Sequence, residues 1–363
     1  MHLSHAQEWN AMKVEQIKTP ALLVDLDAME ANLRDMAAFF APRKARLRPH
    51  FKNHKSPLLA HQQLRAGAIG MTCATIREAE ILVEHGVGSI LVANEIAGEE
   101  KPERLAELTR RAQVMVGADN RNAICDLARA QRNRNTQVEI LVDVNIGMNR
   151  CGVDSVDAAL DLAGFAIESG LAVRGVMGYD GHLQGLPRGP ENDEIIRRGS
   201  RKLVETAALF EGAGIPAPIV STGGTGTYSV SGEFPGITEI QAGSYLLMDN
   251  IYLGRGAPFQ RSLTVLATVI STRGPGHAVL DCGVKVISGE RGLPTLKEVP
   301  GARLTALHAE HALVELDPQT SPGLTPGQKV HVWVEYSDAT VNLNSCMYGV
   351  RDGHFEEIFP IEH

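Results

Sequence analysis

Lys52 has the setting of a nucleophile. It stands in Leu47-Arg48-Pro49-His50-Phe51-Lys52-Asn53-His54-Lys55-Ser56, where an extended stretch gives way to a helix. A primary amine held there can condense with a carbonyl group, and the flanking His50 and His54 are placed to orient it or a substrate. Most lysines are solvated surface charges, so the other polar segments must decide. Four stand out: Gly147-Met148-Asn149-Arg150-Cys151-Gly152, Tyr179-Asp180-Gly181-His182, Ser221-Thr222-Gly223-Gly224-Thr225-Gly226-Thr227 and Gln241-Ala242-Gly243-Ser244-Tyr245. Glycine-rich turns let backbone N–H groups approach a phosphate, and Thr225 and Ser244 add hydroxyl donors beside Gly243. Arg150 offers hydrogen bonds to a ring oxygen, and Tyr179 offers a ring face or a hydroxyl. Singly, each segment has a plain explanation as a tight turn, a surface ion pair, a solvated histidine or a packed aromatic. Together they describe a site for pyridoxal phosphate, the cofactor whose aldehyde forms a Schiff base with a lysine.

The surrounding elements must bring these segments to one place. Short apolar runs recur at residues 45–51, 69–73, 89–93, 113–117, 138–144, 172–178, 217–221 and 237–241, with amphipathic or charged stretches between them. One such stretch, 76–84, ends at Gly86, and another, 154–169, ends at Gly170. Asp27 and Glu30 form a capping box before a helix with Met29, Leu33, Met36 and Phe40 on one face. Eight strands alternating with helices predict an α/β fold, a parallel (β/α)8 TIM-type barrel over 27–255. All the polar segments then fall at the C-terminal ends of strands, where barrels carry their functional groups. A doubly wound sheet is the alternative, but no GxGxxG joins a first strand to a helix.

After residue 255 the texture changes. Runs at 263–270, 278–281, 303–306, 312–316 and 329–335 read as strands between Gly/Pro turns. They predict a second, mainly β domain over 256–363. The extended segment 21–26 is placed to pair with it, so residues 1–26 are assigned to the same domain.

The chain's 363 residues exceed one ordinary domain, and 44% are hydrophobic, which is a globular composition. A net charge of −8 and the lack of a basic run argue against a nucleic-acid partner. No apolar stretch is long enough for a membrane span. The opening residues 1–7 lack the basic and apolar regions of a secretory signal. Five scattered cysteines, none at CxxC spacing, read as reduced thiols of a cytoplasmic protein.

The motifs resemble those of the fold type III pyridoxal-phosphate enzymes, within them the D-threonine aldolase and D-serine dehydratase family with its alanine-racemase-like barrel. The resemblance covers nearly the whole chain. It puts Lys52 in the cofactor lysine's place, Arg150 in the arginine motif shared with the racemases, and Thr225, Gly243 and Ser244 in the phosphate-cradling loops; Tyr179 joins them as a cofactor contact on the strength of its own position. It implies a lyase acting on a D-3-hydroxy amino acid by retro-aldol cleavage or dehydration, working as a homodimer. One motif departs. Where the family carries a histidine and, two residues on, a second ligand for a divalent metal, this chain has Tyr336-Ser337-Asp338. Asp338 matches one ligand, whereas Tyr336 replaces the histidine, and a phenol is a poor ligand for magnesium or manganese unless ionised. No metal site is therefore expected unless Asp338 recruits another residue, such as His311 or His50. Tyr336 and Asp338 become the candidate acid–base groups beside Lys52. An amino-acid racemase or epimerase without metal, and a non-catalytic pyridoxal-phosphate-binding relative, are the other readings.

Overall fold

A computed structural model describes residues 12–274 and 276–363. Residues 1–7, read above for a secretory signal, and residues 1–11 of the expected β domain lie outside the described residues.

All eight apolar runs become strands: β2 (Arg46–Leu47), β3 (Met71–Cys73), β4 (Ser89–Glu95), β5 (Gln113–Ala118), β6 (Glu139–Asp143), β7 (Ala172–Met177), β8 (Ile219–Thr222) and β9 (Glu239–Ile240), preceded by β1 (Ala21–Asp25). Their order is β2-β9-β8-β7-β6-β5-β4-β3, parallel throughout. A parallel bridge between His50 and Thr72 joins the two ends and closes the barrel. Parallel neighbours need crossovers, and helices supply them: α2 (Pro57–Arg65), α3 (Ile76–Glu84), α4 (Glu100–Leu108), α5 (Arg121–Arg134), α6 (Val156–Glu168) and α7 (Pro190–Gly212), with α1 (Leu26–Phe40) ahead of β2.

The first helix begins differently from the expected capping box. Asp25 is the N-cap, its carboxylate accepting from the Ala28 N–H at 3.0 Å. Asp27 and Glu30 instead pair with Arg351 of the β domain. A carboxylate at Asp25 ends the strand and starts the helix in one residue, leaving the later acids free to bind across domains. Met29, Met36 and Phe40 are buried as the periodicity predicts, with Leu33 packed beside them.

Two features set the barrel's inner dimensions. Leu91, Met115, Leu141 and Met177, from four neighbouring strands, form a cluster of their own. Near the starts of β4 and β9, Arg48 makes a buried bidentate pair with Glu239, at 3.0 and 2.7 Å, and donates to Ser89 Oγ at 3.0 Å. Gly70 is needed beside it, because a Cβ there would lie 2.2 Å from Arg48 Nη1. Arg48, although within the Lys52 motif, thus serves the barrel's interior.

The second sheet is antiparallel except where β1 meets β16. Its strands are β10 (Leu263–Thr272), β11 (His277–Leu280), β12 (Thr295–Leu296), β13 (Ala302–Leu307), β14 (Ala312–Leu316), β15 (Lys329–Trp333), β16 (Cys346–Arg351) and β17 (His354–Pro360), with the main path β13-β14-β11-β10-β1-β16-β17. The N-terminal strand β1 does pair into it, antiparallel to β10 and parallel to β16. Sequence reading missed β12, β16 and β17. Gly349 weakens the β16 signal, and only Phe355 and Phe359 mark the buried face of an otherwise polar β17. In place of a strand to Glu335, β15 stops at Trp333 and a short helix, α10 (Ser337–Val341), follows the short helices α8 (Tyr228–Ser231) and α9 (Asn250–Leu253) in chain order.

Candidate active site

The turn that presents Lys52 is anchored on both sides. Phe51 is fully buried and meets the buried His54 edge-on, with ring centroids 5.3 Å apart. Burying a phenylalanine contributes about 1.5–3 kcal/mol, enough to hold a three-residue turn. Residues Phe51–Asn53 form a 3-10 turn, with His50 Nδ1 accepting from the Lys52 N–H at 3.4 Å. The Lys52 side chain is left 38% exposed, its Nζ 3.8 Å from Asp338 Oδ2 and 6.0 Å from the centre of the Tyr179 ring.

These groups line one cavity of about 250 Å³ at the C-terminal ends of the strands. Lys52, Arg150, Tyr179, Thr225, Gly243, Ser244, Tyr336 and Asp338 all border it, as does His50. His54 does not; it is buried behind the turn, with Nε2 3.1 Å from Gln63 Oε1, and Gln63 in turn donates to the Tyr245 hydroxyl at 3.0 Å. Burial lowers the His54 pKa to about 4. His50 is likewise pushed well down, first by burial and then by the positive charge of Lys52. Both imidazoles are therefore neutral near pH 7. His311 is exposed and stands outside this cavity.

The glycine loop after β8 is shaped by a side chain from the previous loop. Gln184 donates to Asp180 Oδ1 at 2.7 Å and to Thr227 Oγ1 at 3.0 Å, while its Oε1 accepts from the Gly226 N–H at 2.8 Å. Thr227 Oγ1 also accepts from the Gly224 N–H at 3.0 Å. Thr225 Oγ1 accepts from the Tyr245 N–H at 2.9 Å, tying this loop to the next. There Gly243 passes so close to the Lys52 turn that a Cβ would lie 2.7 Å from the His50 carbonyl oxygen. These bonds fix the two loops, and Gly224, Thr225, Gly243 and Ser244 are left bordering the cavity, where little side-chain bulk keeps an anion from the backbone. On the opposite wall, Asn145 Oδ1 accepts from the Gly147 and Asn149 N–H groups at 3.0 and 3.1 Å, which shapes the loop carrying Arg150. The Arg150 guanidinium carbon lies 5.4 Å from the centre of the Tyr179 ring.

The far side comes from the β domain. Asp338 Oδ1 accepts from Asn53 Nδ2 at 2.6 Å, and Oδ2 faces the Tyr336 hydroxyl at 3.4 Å. Burial and the neighbouring Asp338 carboxylate raise the Tyr336 phenol, so it keeps its proton. Burial also raises the Tyr179 phenol. Beneath α10, the Ser337 N–H and hydroxyl both donate to Asp249 Oδ2, at 3.0 and 2.9 Å. Burial lifts the Asp249 carboxyl to about 6.

Sequence reading missed Asn53, Asn94, Cys151, Gly224, Gln241 and Tyr252 as cavity residues. Asn53, Cys151, Gly224 and Gln241 lay inside motifs already singled out, so position alone could have found them. Tyr252, on the short helix α9, carried no local signal. Among the described residues, Glu95, Asp119 and Cys151 are the group of acids, thiols and imidazoles close enough to share an ion, their ligand atoms lying within 4.8 Å of one another. That group excludes both Tyr336 and Asp338.

Comparison with known proteins agrees with this architecture. The family model described as alanine racemase, N-terminal domain, matches residues 24–251, and the putative serine dehydratase domain matches 262–350. A D-threonine aldolase from Arthrobacter is 35% identical over 355 residues, 95% of this chain and 92% of that protein. A 3-hydroxy-D-aspartate aldolase from Paracoccus denitrificans is 30% identical over 363 residues, 96% of this chain and 93% of that protein. The crystal structure of D-threonine aldolase from Filomicrobium marinum superposes with a TM-score of 0.92 at 34% identity, covering 97% of each chain. The chain therefore belongs to the family of alanine-racemase-type barrels with a serine-dehydratase-type second domain that includes D-threonine aldolase and 3-hydroxy-D-aspartate aldolase.

Proposed function

We propose that this protein is a pyridoxal-phosphate-dependent lyase that cleaves D-3-hydroxy amino acids. The observation that carries the reading is the Lys52 amine, 3.8 Å from the Asp338 carboxylate, in a cavity whose other end is a backbone cradle. The similarity to an aldolase of D-threonine and one of 3-hydroxy-D-aspartate supports the substrate class.

The cavity fits the cofactor. Lys52 would hold its aldehyde carbon, Arg150 and Tyr179 its ring, and Thr225, Gly243 and Ser244 its phosphate. The missing Cβ at Gly243 is the feature that makes the cradle possible. When bound, pyridoxal phosphate supplies the sink for the electron pair left on Cα when the Cα–Cβ bond breaks. The chain's own residues move the protons. Asp338 Oδ2 takes the β-hydroxyl proton, and the O–H pair becomes the π bond of the departing aldehyde. The Cα–Cβ pair stays with Cα. Lys52, freed when the substrate's amine takes its place, receives that proton from the neighbouring Asp338 Oδ2 and delivers it to Cα, so both groups return to their starting state and the amino acid leaves as glycine. Tyr336, held protonated, donates to the Asp338 carboxylate and keeps it oriented.

A divalent metal does not fit the usual position. Asp338 Oδ1 is already taken by the Asn53 amide at 2.6 Å, and the Tyr336 oxygen is a neutral phenol. A lone carboxylate seldom holds such an ion firmly. Cleavage should therefore proceed without one.

The same reading treats residues 27–255 as the cofactor barrel and 1–26 with 256–363 as the β domain, supported by the pairing of β1 with β10 and β16. Five free cysteines support the cytoplasm as its location. Exposed Val284, Leu293 and Leu343 around a groove beside α10 support a homodimer. The deciding experiment is product analysis with D- and L-threonine, D-serine and D-3-hydroxyaspartate, with and without chelator. Glycine plus an aldehyde from the D-substrates, undiminished by chelator, is the expected result. Ammonia plus a keto acid would make the protein a dehydratase, and appearance of the opposite enantiomer would make it a racemase. Turnover that ceases on metal removal and returns on its restoration would overturn the metal-free mechanism.

A further inference from the structure

Asn53 is one residue from Lys52, and its side chain points away from the barrel into the β domain. Its Nδ2 donates both to Asp338 Oδ1, at 2.6 Å, and to Ser337 Oγ, at 2.9 Å. Ser337 is in turn pinned to the fully buried Asp249 by two hydrogen bonds. The amide therefore joins the turn that presents the amine to the helix that presents the carboxylate. Asn53 is only 1% exposed, yet its own Oδ1 finds no hydrogen-bond partner. Leaving a buried carbonyl oxygen unsatisfied costs stability. An apolar residue of the same shape would avoid that cost.

We propose that Asn53 is the positioning residue of the proton-transfer pair. Its N–H occupies Asp338 Oδ1, which leaves Oδ2, facing Lys52 and holding only a long hydrogen bond from Tyr336, as the oxygen to take the substrate's β-hydroxyl proton. It also sets the separation between Lys52 and Asp338 by fastening their two segments together. This rests on the lyase reading, with Asp338 as the base.

The test is a double-mutant cycle on the cofactor-loaded protein, with Asn53→Leu, Asp338→Asn and the double variant assayed on D-threonine. Asn53→Leu is close to isosteric and removes the unsatisfied carbonyl together with the donor, two effects of opposite sign, so its melting temperature should stay close to that of the parent. Its cofactor affinity, by absorbance titration, and its borohydride labelling at Lys52 should stay within about twofold of the parent. Its kcat should fall roughly ten- to a hundred-fold, the size of losing one hydrogen bond to a charged group, while KM changes little. Because Asn53 acts through Asp338, the double variant should be no slower than Asp338→Asn alone. Full activity in Asn53→Leu, or losses that multiply in the double variant, would overturn the proposal. A fall in cofactor affinity or labelling that accounts for the lost rate would do the same, by showing a structural role. Should Asn53→Leu fail to fold, Asn53→Ser, which is too short to reach Asp338, takes its place with the same expectations. If Asp338→Asn itself keeps full activity, the lyase mechanism is what fails, and the result for Asn53 is then separately readable from its labelling and stability.

Discussion

The two ends of the cavity are built by different means. The cradle end comes from loops after neighbouring strands of one barrel, and its working surface is backbone: Gly224, Thr225, Gly243 and Ser244. The other end, proposed to handle protons, joins Asn53 to Ser337 and Asp338, up to 285 residues away in sequence, and is built from side chains. A backbone cradle depends on what is absent, so it fails when bulk is added. A side-chain array depends on individual atoms, so it can change one residue at a time while the fold persists. Tyr336 in a position where relatives are expected to carry histidine is such a change.

The largest effect should come where the two ends meet. Lys52→Ala should abolish borohydride-stable attachment of the cofactor and reduce turnover on the order of 10³-fold or more. Peptide mapping of the reduced parent protein should find the label on Lys52. A label on Lys55 would break the assignment at both ends.

The cradle is tested by Gly243→Leu. Its new side chain would collide with the His50 carbonyl, so the loop must retreat from the anion. Overpacking of this kind costs about 1–3 kcal/mol, which should weaken cofactor affinity roughly five- to a hundred-fold in an absorbance titration. A variant that binds as tightly as the parent would show that the phosphate lies elsewhere.

A smaller effect is expected at the side-chain end. Tyr336→Phe removes one long hydrogen bond to Asp338, so kcat should fall by up to about ten-fold with cofactor affinity unchanged. Tyr336→His offers the complementary gain: chelator-sensitive activity should appear in the variant and not in the parent. Equal chelator sensitivity in both proteins would erase the contrast drawn between them.

A separate effect, on stability rather than activity, runs through His54 behind the Lys52 turn. Its pKa is about 4 in the folded protein, against 6.5 for a histidine in the unfolded chain. Between those values the unfolded chain binds the proton and the folded protein does not, so folding stability falls as pH drops from 6.5 toward 4. Asp249, raised to about 6, acts in the opposite direction, since its folded carboxyl holds a proton that the unfolded chain has released. The clean quantity is thus a difference. Across pH 6.5 to 4, the parent should lose stability relative to His54→Asn by on the order of 3 kcal/mol, measured by urea unfolding. A difference independent of pH would mean that His54 is not held neutral.

Much of the fold was legible because its signals are local. Each barrel strand is an apolar run buried on both faces, each crossover an amphipathic stretch, and the motif glycines mark places where backbone must come close. The capping of α1 was misread by two residues because Asp25 and Asp27 are both competent caps, and only the ion pairs of Arg351 with Asp27 and Glu30 show what the later acids do. Strands β16 and β17 went unread because a glycine and a polar face dilute their alternation.

The amino-acid sequence by itself determined the barrel, the amine at its mouth and the glycine-rich loops, since all of these are written in residue type and short-range spacing; the expectation that Tyr336 stands in a histidine's place came from the family resemblance. Tertiary structure alone decided that β1 crosses into the second sheet, that Gln184 shapes the loop after β8, and that Asn53 reaches Asp338 from the barrel side. Those contacts depend on how two separately patterned domains pack, and no periodicity within either segment encodes the distance between them.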